Sequence, residues 1–182
     1  LYGRTVKVWI FADLFDVEEE EWKNAVEGRL GRLKLSLITE PNVAADAAAA
    51  FREMRQFEEV DLINSEAVTK SDPTAEEGSL YETVRAGEPF ADSCLKRYLG
   101  RIMKCRTVEE LRTVKDGVTP DCYSYSNFIF RHLKKRDYTV GACIGSKVSR
   151  ARQQDYEADA QRLKKELDEA KRMADGLKAV RE

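Results

Sequence analysis

The sequence predicts a mixed α/β domain built from two similar halves and followed by a long coiled-coil helix. Short apolar segments alternate with segments of helical periodicity over the first 145 residues. A tetrapeptide of the form Leu-Gly-Arg-apolar occurs at 30–33 and again at 99–102, each time between a predicted helix and a predicted strand. The chain therefore divides into a first half (1–63), a connecting loop (64–78), a second half (79–145) and a coiled-coil helix (146–182).

The first half is predicted to contain three strands and two helices. The acidic cluster at 17–21 suits the start of a helix, because negative side chains favour the positive end of the helix dipole. Gly31 suits the end of that helix, and Pro41 opens an alanine-rich helix. The predicted elements are a strand at 4–11, a helix at 17–30, a strand at 33–38, a helix at 41–57 and a strand at 60–63.

The second half follows a polar segment that carries Pro73 and Gly78, which indicates a loop. Thr107 and Glu110 fit a capping box at the start of a helix. The predicted elements are helices at 79–86 and 89–99, a strand at 101–105, a helix at 107–114, a strand at 122–130, a basic turn at 134–137 and a last strand at 138–144.

The C-terminal segment has the apolar spacing of a coiled coil. Apolar residues recur at intervals of four and three over three heptads, and Lys, Arg, Glu and Asp fill the other positions. A seam this narrow needs a partner helix, which we expect from the segment preceding Leu1 or from a second chain. The alternative is a solvated terminal helix. The seam consists of Tyr156, Ala160, Leu163, Leu167, Ala170, Ala174 and Leu177.

Composition and the N-terminus bound the class of protein. The chain is 42% hydrophobic and 35% charged, and no apolar run approaches the roughly 18 residues of a membrane span. It begins without methionine and without a signal peptide, so we expect a piece of a longer cytoplasmic polypeptide with no membrane partner.

No motif in the sequence predicts catalysis, a cofactor or a metal. The four cysteines form no CxxC pair and are interpreted as buried free thiols. No GxxxxGK[ST] loop is present, and His132 has no Ser or Cys partner at a recognisable spacing. A Mg²⁺-dependent nuclease is the weaker alternative. Its carboxylates would be Asp13, Asp16 and those at 18–21, or Asp61 with Glu66.

Charge is distributed unevenly along the chain. Residues 1–95 contain 10 basic and 20 acidic residues, whereas residues 96–152 contain 14 basic and 5 acidic residues. This asymmetry predicts either a polyanion or an acidic partner surface for the basic part, or neutralisation of the two parts by each other within the fold. Aromatic residues at 123–138 are predicted to be core and strand residues rather than stacking platforms. The candidate DNA-binding residues are Arg131, Lys134, Lys135, Arg136, Lys147, Arg150 and Arg152.

Motifs in both halves resemble the hinge domain of SMC proteins (structural maintenance of chromosomes). The first half matches in Glu21-Trp22-x-x-Ala25-x-Glu27-x-x-Leu30-Gly31, followed by the segment 33–38. The second half matches, in order, in Gly78-Ser79-Leu80, Leu99-Gly100-Arg101, Val108-x-x-Leu111, Val118-Thr119-Pro120-Asp121 and the segment 138–145. The resemblance is nearest to the divergent bacterial branch that includes the MukB-like condensins and the Wadjet plasmid-defence complex.

The resemblance implies a homodimerisation domain at the far end of an antiparallel coiled coil, with ATPase heads elsewhere in the parent protein. It also implies binding of double-stranded DNA near the coiled-coil root, a nucleoid-associated location and a role in chromosome organisation or plasmid defence. Cys122 stands where the family usually has glycine, and paired glycines are missing from 123–133, so a different or weaker dimer contact is expected. A coiled-coil adaptor whose globular domain binds a protein is the alternative.

Overall fold

The computed structural model describes residues 5–145 and 158–173, which belong to two compact units, Leu1–Ser146 and Lys147–Glu182. The strands of the first unit are β1 (Trp9–Ile10), β2 (Phe15–Val17), β3 (Leu37–Ile38), β4 (Val84–Ala86), β5 (Met103–Lys104), β6 (Asp116–Val118), β7 (Tyr123–Ser126) and β8 (Ile129–His132). Its helices are α1 (Lys23–Leu30), α2 (Ala44–Glu53), α3 (Ser65–Lys70), α4 (Pro89–Leu99), α5 (Val108–Leu111) and α6 (Lys135–Tyr138).

The predicted internal repeat is present in the backbone. A 3-10 turn, a strand, a helix and a second strand follow one another as Phe11–Leu14, β2, α1 and β3, and again as Leu80–Thr83, β4, α4 and β5. Phe11 N donates to Ser36 O at 2.9 Å, and Leu80 N makes the equivalent bond to Ile102 O at 2.6 Å. The prediction of two similar α/β halves is confirmed.

The two halves join through β2 and β4, which pair antiparallel with Asp16 opposite Arg85. Asp16 and Arg85 are 69 positions apart, which is also the separation of Leu30 and Leu99 in the repeated tetrapeptide. Asp16 and Arg85 are therefore equivalent positions of the repeat, and a pseudo-twofold axis passes between these two residues. One apolar cluster spans both halves. Its members include Phe11, Trp22, Val26, Leu30, Ile38, Leu80, Leu95, Leu99 and Val118.

Short helices cover α1 and α4. The helix α3 of the connecting segment packs on α4 of the second half, and α6, which follows β8, packs on α1 of the first half. Gly28 permits the second contact, because a Cβ at that position would lie 2.9 Å from Leu133 Cδ1. The helix α1 is therefore covered by a helix of the second half, and α4 is covered by a helix of the connecting segment.

The sheets of the two halves differ in extent. In the first half β1 pairs antiparallel with β3, and Leu37 of β3 forms a single parallel bridge with Leu62. In the second half β5 pairs parallel with β6, and the sheet continues antiparallel through β7 to β8. The hairpin of β7 and β8 thus has no counterpart among the described residues of the first half.

Several predicted elements of the first half are shorter than expected. Within the described residues, the strand predicted at 4–11 is confined to β1, which ends where Phe11 begins a 3-10 turn. The helix predicted from residue 17 begins at Lys23, since Val17 belongs to β2. The alanine-rich helix is flanked by 3-10 turns at Pro41–Val43 and Arg55–Phe57, and the strand at 60–63 is only the bridge at Leu62. Residues 31–35 form a 3-10 turn, so the strand predicted at 33–38 is confined to β3.

The loop predicted at 64–78 was wrong in part, because it contains α3. The Asn64 side chain accepts a hydrogen bond from Ala67 N at 3.0 Å and so caps the helix. The Ser65 hydroxyl donates to Thr39 O at 2.7 Å and attaches the helix to the domain. The polar residues that suggested a loop are therefore the cap and the anchor of a helix.

Three predictions in the second half were also wrong. Residues 80–86 form a 3-10 turn and β4 instead of a helix, because β4 completes the pairing with β2. Residues 122–130 are not one strand, since a turn at Asn127 and Phe128 separates β7 from β8. The strand predicted at 138–144 does not form, because the Cys143 and Ile144 amides donate to a side chain, that of Glu27.

The second unit is described by a helix at 158–173, whose residues are all exposed. Arg162 forms ion pairs with Asp159 at 3.1 Å and with Glu166 at 4.0 Å. Within the described ranges, no helix combines the length and the apolar character needed to cross a membrane.

Candidate functional site

The hairpin of β7 and β8 presents an open sheet edge. Its two-residue turn places Asn127 (φ 50°) and Phe128 (φ 61°) in the left-handed region, as a type I′ turn requires. In such a hairpin the pair next to the turn is hydrogen-bonded and the ladder then alternates. The backbone groups of Phe130 and His132 therefore face away from β7, toward the outside of the sheet.

The outer face of the hairpin carries aromatic rings. The ring centroids of Tyr125 and Phe130 are 4.6 Å apart, and those of Tyr123 and His132 are 4.7 Å apart. Phe128 at the tip is 93% exposed, Ile129 52% and Phe130 38%. The prediction of core aromatics was wrong here, because the buried face of β7 is occupied by Ser124. The Asn127 residue, which tolerates positive φ, was the sequence signal for this turn.

A second apolar surface lies in the first half. A groove of about 350 Å³ opens between α2 and the small sheet, and its lining includes Val8, Ala50, Phe51, Met54, Phe57 and Leu62. Leu62 also forms the edge of this sheet. Leu37 bonds to Asp61 O and to Ile63 N, the two neighbours of Leu62, and not to the backbone groups of Leu62 itself. Sequence reasoning missed this groove, because its lining residues come from separate segments.

The basic turn predicted to bind DNA is exposed. Arg131 lies in β8, Lys134 precedes α6, and Lys135 and Arg136 begin it. None of the ion pairs within the described ranges involves these four side chains. Lys147, Arg150 and Arg152 lie outside the described residues.

Part of the charge asymmetry between residues 1–95 and residues 96–152 is neutralised within the fold. Arg106 binds Glu21 through its two terminal guanidinium nitrogens at 2.7 and 3.0 Å, and Lys104 Nζ lies 3.7 Å from Glu19. The hydrogen bond from Arg106 lowers the pKa of Glu21. Lys104 approaches Glu82 at 3.0 Å. In the part of the chain that the structure describes, no group of three His, Cys, Asp or Glu side chains could hold a metal ion.

A buried ion pair holds the end of the domain. Glu27 Oε2 lies 2.7 Å from Lys34 Nζ, and the two side chains are 1% and 2% exposed. Glu27 Oε1 accepts from the amides of Cys143 and Ile144, both at 2.8 Å. Lys34 also donates to Asp137 O. This pair attaches the segment that precedes the second unit to α1.

All four cysteines are buried, and none of them forms a disulfide. Burial raises the pKa of Cys94 to about 12 and that of Cys122 to about 11. Such thiols are protonated at neutral pH and therefore weak nucleophiles.

The described part of the predicted seam lies on the helix at 158–173. Leu163 is 59% exposed and Leu167 is 54% exposed, and Ala160 and Ala170 are exposed as well. Tyr156, Ala174 and Leu177 lie outside the described residues.

Neither a protein-family model nor a curated protein matches the chain. Solved structures match in fold, and among them are three of SMC hinge domains. The SMC hinge domain of Pyrococcus furiosus has a TM-score of 0.53 at 16% identity, covering 71% of this chain and 74% of that one. An asymmetric dimer of the Geobacillus stearothermophilus SMC hinge domain gives 0.54 at 14%, covering 86% and 70%.

The third match is the P. furiosus hinge domain with an extended coiled coil, which has a TM-score of 0.55 at 19% identity. The match covers 88% of this chain and 63% of that chain. All three matches cover most of the present sequence, at identities that support a shared fold alone. The chain therefore has the fold of an SMC hinge domain.

Proposed function

We propose that this chain is the non-catalytic dimerisation hinge of an SMC-like protein and that it dimerises through the free edge of β8. The observation that carries the proposal is this edge, where exposed apolar side chains accompany outward-facing backbone groups. An exposed, apolar sheet edge readily pairs with another strand. Pairing with a second copy would satisfy the Phe130 and His132 backbone groups.

The partner edge is proposed to be that of the first half, at Leu62. A twofold dimer then uses two such contacts, each joining the second-half sheet of one copy to the first-half sheet of the other. Charge supports this arrangement, because Glu58, Glu59 and Asp61 are exposed beside the first edge and Arg131 is exposed on β8. Opposite charges across an interface favour the correct pairing and its rate of formation.

The edge proposal is tested by removing one backbone donor. His132→Pro deletes an outward-facing N–H, which an edge strand tolerates, and His132→Ala is the control that loses the same side chain but keeps the donor. We expect the wild-type chain and His132→Ala to dimerise in sedimentation equilibrium with similar dissociation constants. The dissociation constant of His132→Pro should be higher. Equal dissociation constants for both variants would reject pairing through β8.

The parent complex and the coiled coil complete this proposal. The motifs at 21–31 and 99–121 support a bacterial SMC-like ATPase of the MukB-like or Wadjet branch, acting on chromosomes or plasmids at the nucleoid. The exposed Leu163 and Leu167 support a partner helix from the segment preceding Leu1. Adding that segment should raise the helical content per residue of the chain, measured by circular dichroism.

DNA binding is a second proposed function, favoured by the exposed cations Lys134, Lys135 and Arg136, which lack ion pairs within the described ranges. Neutralisation of phosphates by such side chains is independent of sequence and weakens with salt. The proposed surface also includes Arg131 and, outside the described residues, Lys147, Arg150 and Arg152.

The DNA proposal is tested by titrating a short duplex at two salt concentrations. Lys134→Glu with Lys135→Glu should weaken binding and reduce the salt slope by about 1 for each lost phosphate contact. Arg97→Glu with Arg112→Glu is the control, since it makes the same change in charge at two other exposed positions of the second half. An equal effect of the two double variants would reject a specific role for the basic turn.

A further inference from the structure

We propose that Phe128 is the anchor of the dimer contact and that its ring occupies the apolar groove of the first half in a second copy. This inference rests on the proposed dimerisation function and assigns it a residue and a receiving site. Three observations support it: the strain at Phe128, the character of the groove and the charges around both.

The turn between β7 and β8 requires a left-handed backbone at Phe128, but nothing within the chain requires a phenylalanine there. Its φ of 61° lies in the left-handed region, where glycine or asparagine is favoured and a bulky side chain is costly. The ring is 93% exposed, so intramolecular packing does not offset that cost. Strain in a residue that packs on nothing indicates a functional constraint, here on the contact that this ring makes outside the chain.

The groove has the size and the lining that an aromatic ring needs. Its volume is about 350 Å³. A dry apolar cavity of roughly 150 Å³ already holds a benzene ring. Phe51, Met54 and Phe57 contribute to the lining, and methionine and aromatic side chains make favourable contacts with a further ring. Aromatic residues in such pockets contribute most of the binding energy of many interfaces.

A second copy is the occupant that the charges and the sheet edges favour. Leu62 belongs both to the groove and to the first-half edge, so a ring at the tip of β8 could enter the groove while the edges pair. Exposed acidic residues at 58, 59 and 61 border the groove, and Arg131 lies three residues after Phe128. One contact would therefore combine an aromatic anchor, strand pairing and opposite charges.

The test uses one variant on each side of the contact. Phe128→Gly removes the ring and relieves the left-handed strain, and Ala50→Trp fills the groove. Each should raise the dimer dissociation constant by at least about tenfold in sedimentation velocity at several concentrations. The double variant should be no weaker than either single variant, because both remove the same interaction. Val108→Ser, which truncates another exposed apolar side chain, should leave the constant within about twofold.

The outcomes separate this inference from the dimerisation proposal. If wild type dimerises but Phe128→Gly leaves the dissociation constant unchanged, the anchor is rejected and the hinge proposal stands. If wild type is monomeric at every concentration, both are rejected. Misfolding is excluded by thermal unfolding of dilute samples, in which Phe128→Gly should unfold at a temperature equal to or above that of wild type, because strain has been removed.

Discussion

The two halves of this domain share an order of elements but end differently. The sheet of the first half stops at Leu62, beside an apolar groove, whereas the sheet of the second half continues into the hairpin of β7 and β8. The shared elements supply the core, and the unshared ends supply exposed apolar surface. The difference suggests a division of roles in which the repeat builds a stable framework and its unequal ends form the proposed dimer contact.

A similar contrast exists inside the main helices. Leu30 of α1 and Leu99 of α4 are repeat equivalents, and both are buried. Glu27 and Lys96 are also equivalents by the same 69-residue offset, yet Glu27 is buried against Lys34 while Lys96 pairs with Asp92 at the surface. We therefore expect substitutions at Leu30 and Leu99 to lower the free energy of unfolding by similar amounts. Substitutions at Glu27 and Lys96 are expected to lower it by different amounts.

The largest predicted effect is the loss of unfolding free energy on substitution of Glu27. Glu27→Ala leaves Lys34 buried without its partner and removes the acceptor of two backbone amides, so it should cost about 3–5 kcal/mol of unfolding free energy. Lys96→Ala should cost about 1 kcal/mol or less, because its ion pair is partly exposed. Urea denaturation of both variants measures the difference. Similar losses from the two would contradict the assigned role of the buried pair.

The next prediction sharpens the comparison at the equivalent leucines. Leu30→Ala and Leu99→Ala should each cost about 2–5 kcal/mol, because each opens a cavity in the same apolar cluster. Chemical denaturation should give the two losses within about 1 kcal/mol of each other. A large loss from one leucine and a negligible loss from the other would show that the halves do not form one core.

The smallest predicted effect concerns two exposed carboxylates, those of Glu21 and Glu82, whose pKa is lowered by their hydrogen bonds. Hydrogen bonds from Arg106 and from Gly78 N lower the pKa of Glu21 and Glu82 respectively. Carboxylates of lowered pKa stabilise the fold above their ordinary value of 4.5, and this contribution is lost as pH falls through the folded-state pKa. The melting temperature should decrease as the pH is lowered below 4.5. In Arg106→Gln this decrease should be smaller, because the pKa of Glu21 is no longer lowered by the arginine. An undiminished fall in the variant would assign the acid sensitivity to other groups.

Sequence periodicity predicted the order of elements better than their pairing. The helix at 89–99 and the N-cap at Thr107 were predicted correctly, because both depend on local spacing, although the Glu110 carboxylate accepts from Arg106 N instead of completing the capping box at Thr107 N. The segment 138–144 was not, since its amides pair with Glu27 more than 110 residues away. The exposed aromatics of β7 and β8 were also missed, because alternation alone does not tell which face of a strand is buried. The β6 strand escaped prediction for the same nonlocal reason.

The most direct test of the β8 contact is amide hydrogen exchange at Phe130 and His132. In a single copy these two N–H groups face solvent, so they should exchange rapidly in dilute solution. At concentrations where the chain sediments at twice its mass of 20.8 kDa, both should become protected, while the exchange of the buried Leu99 amide stays unchanged. Rapid exchange of Phe130 and His132 in the dimer would contradict pairing through β8 and move the contact to another face.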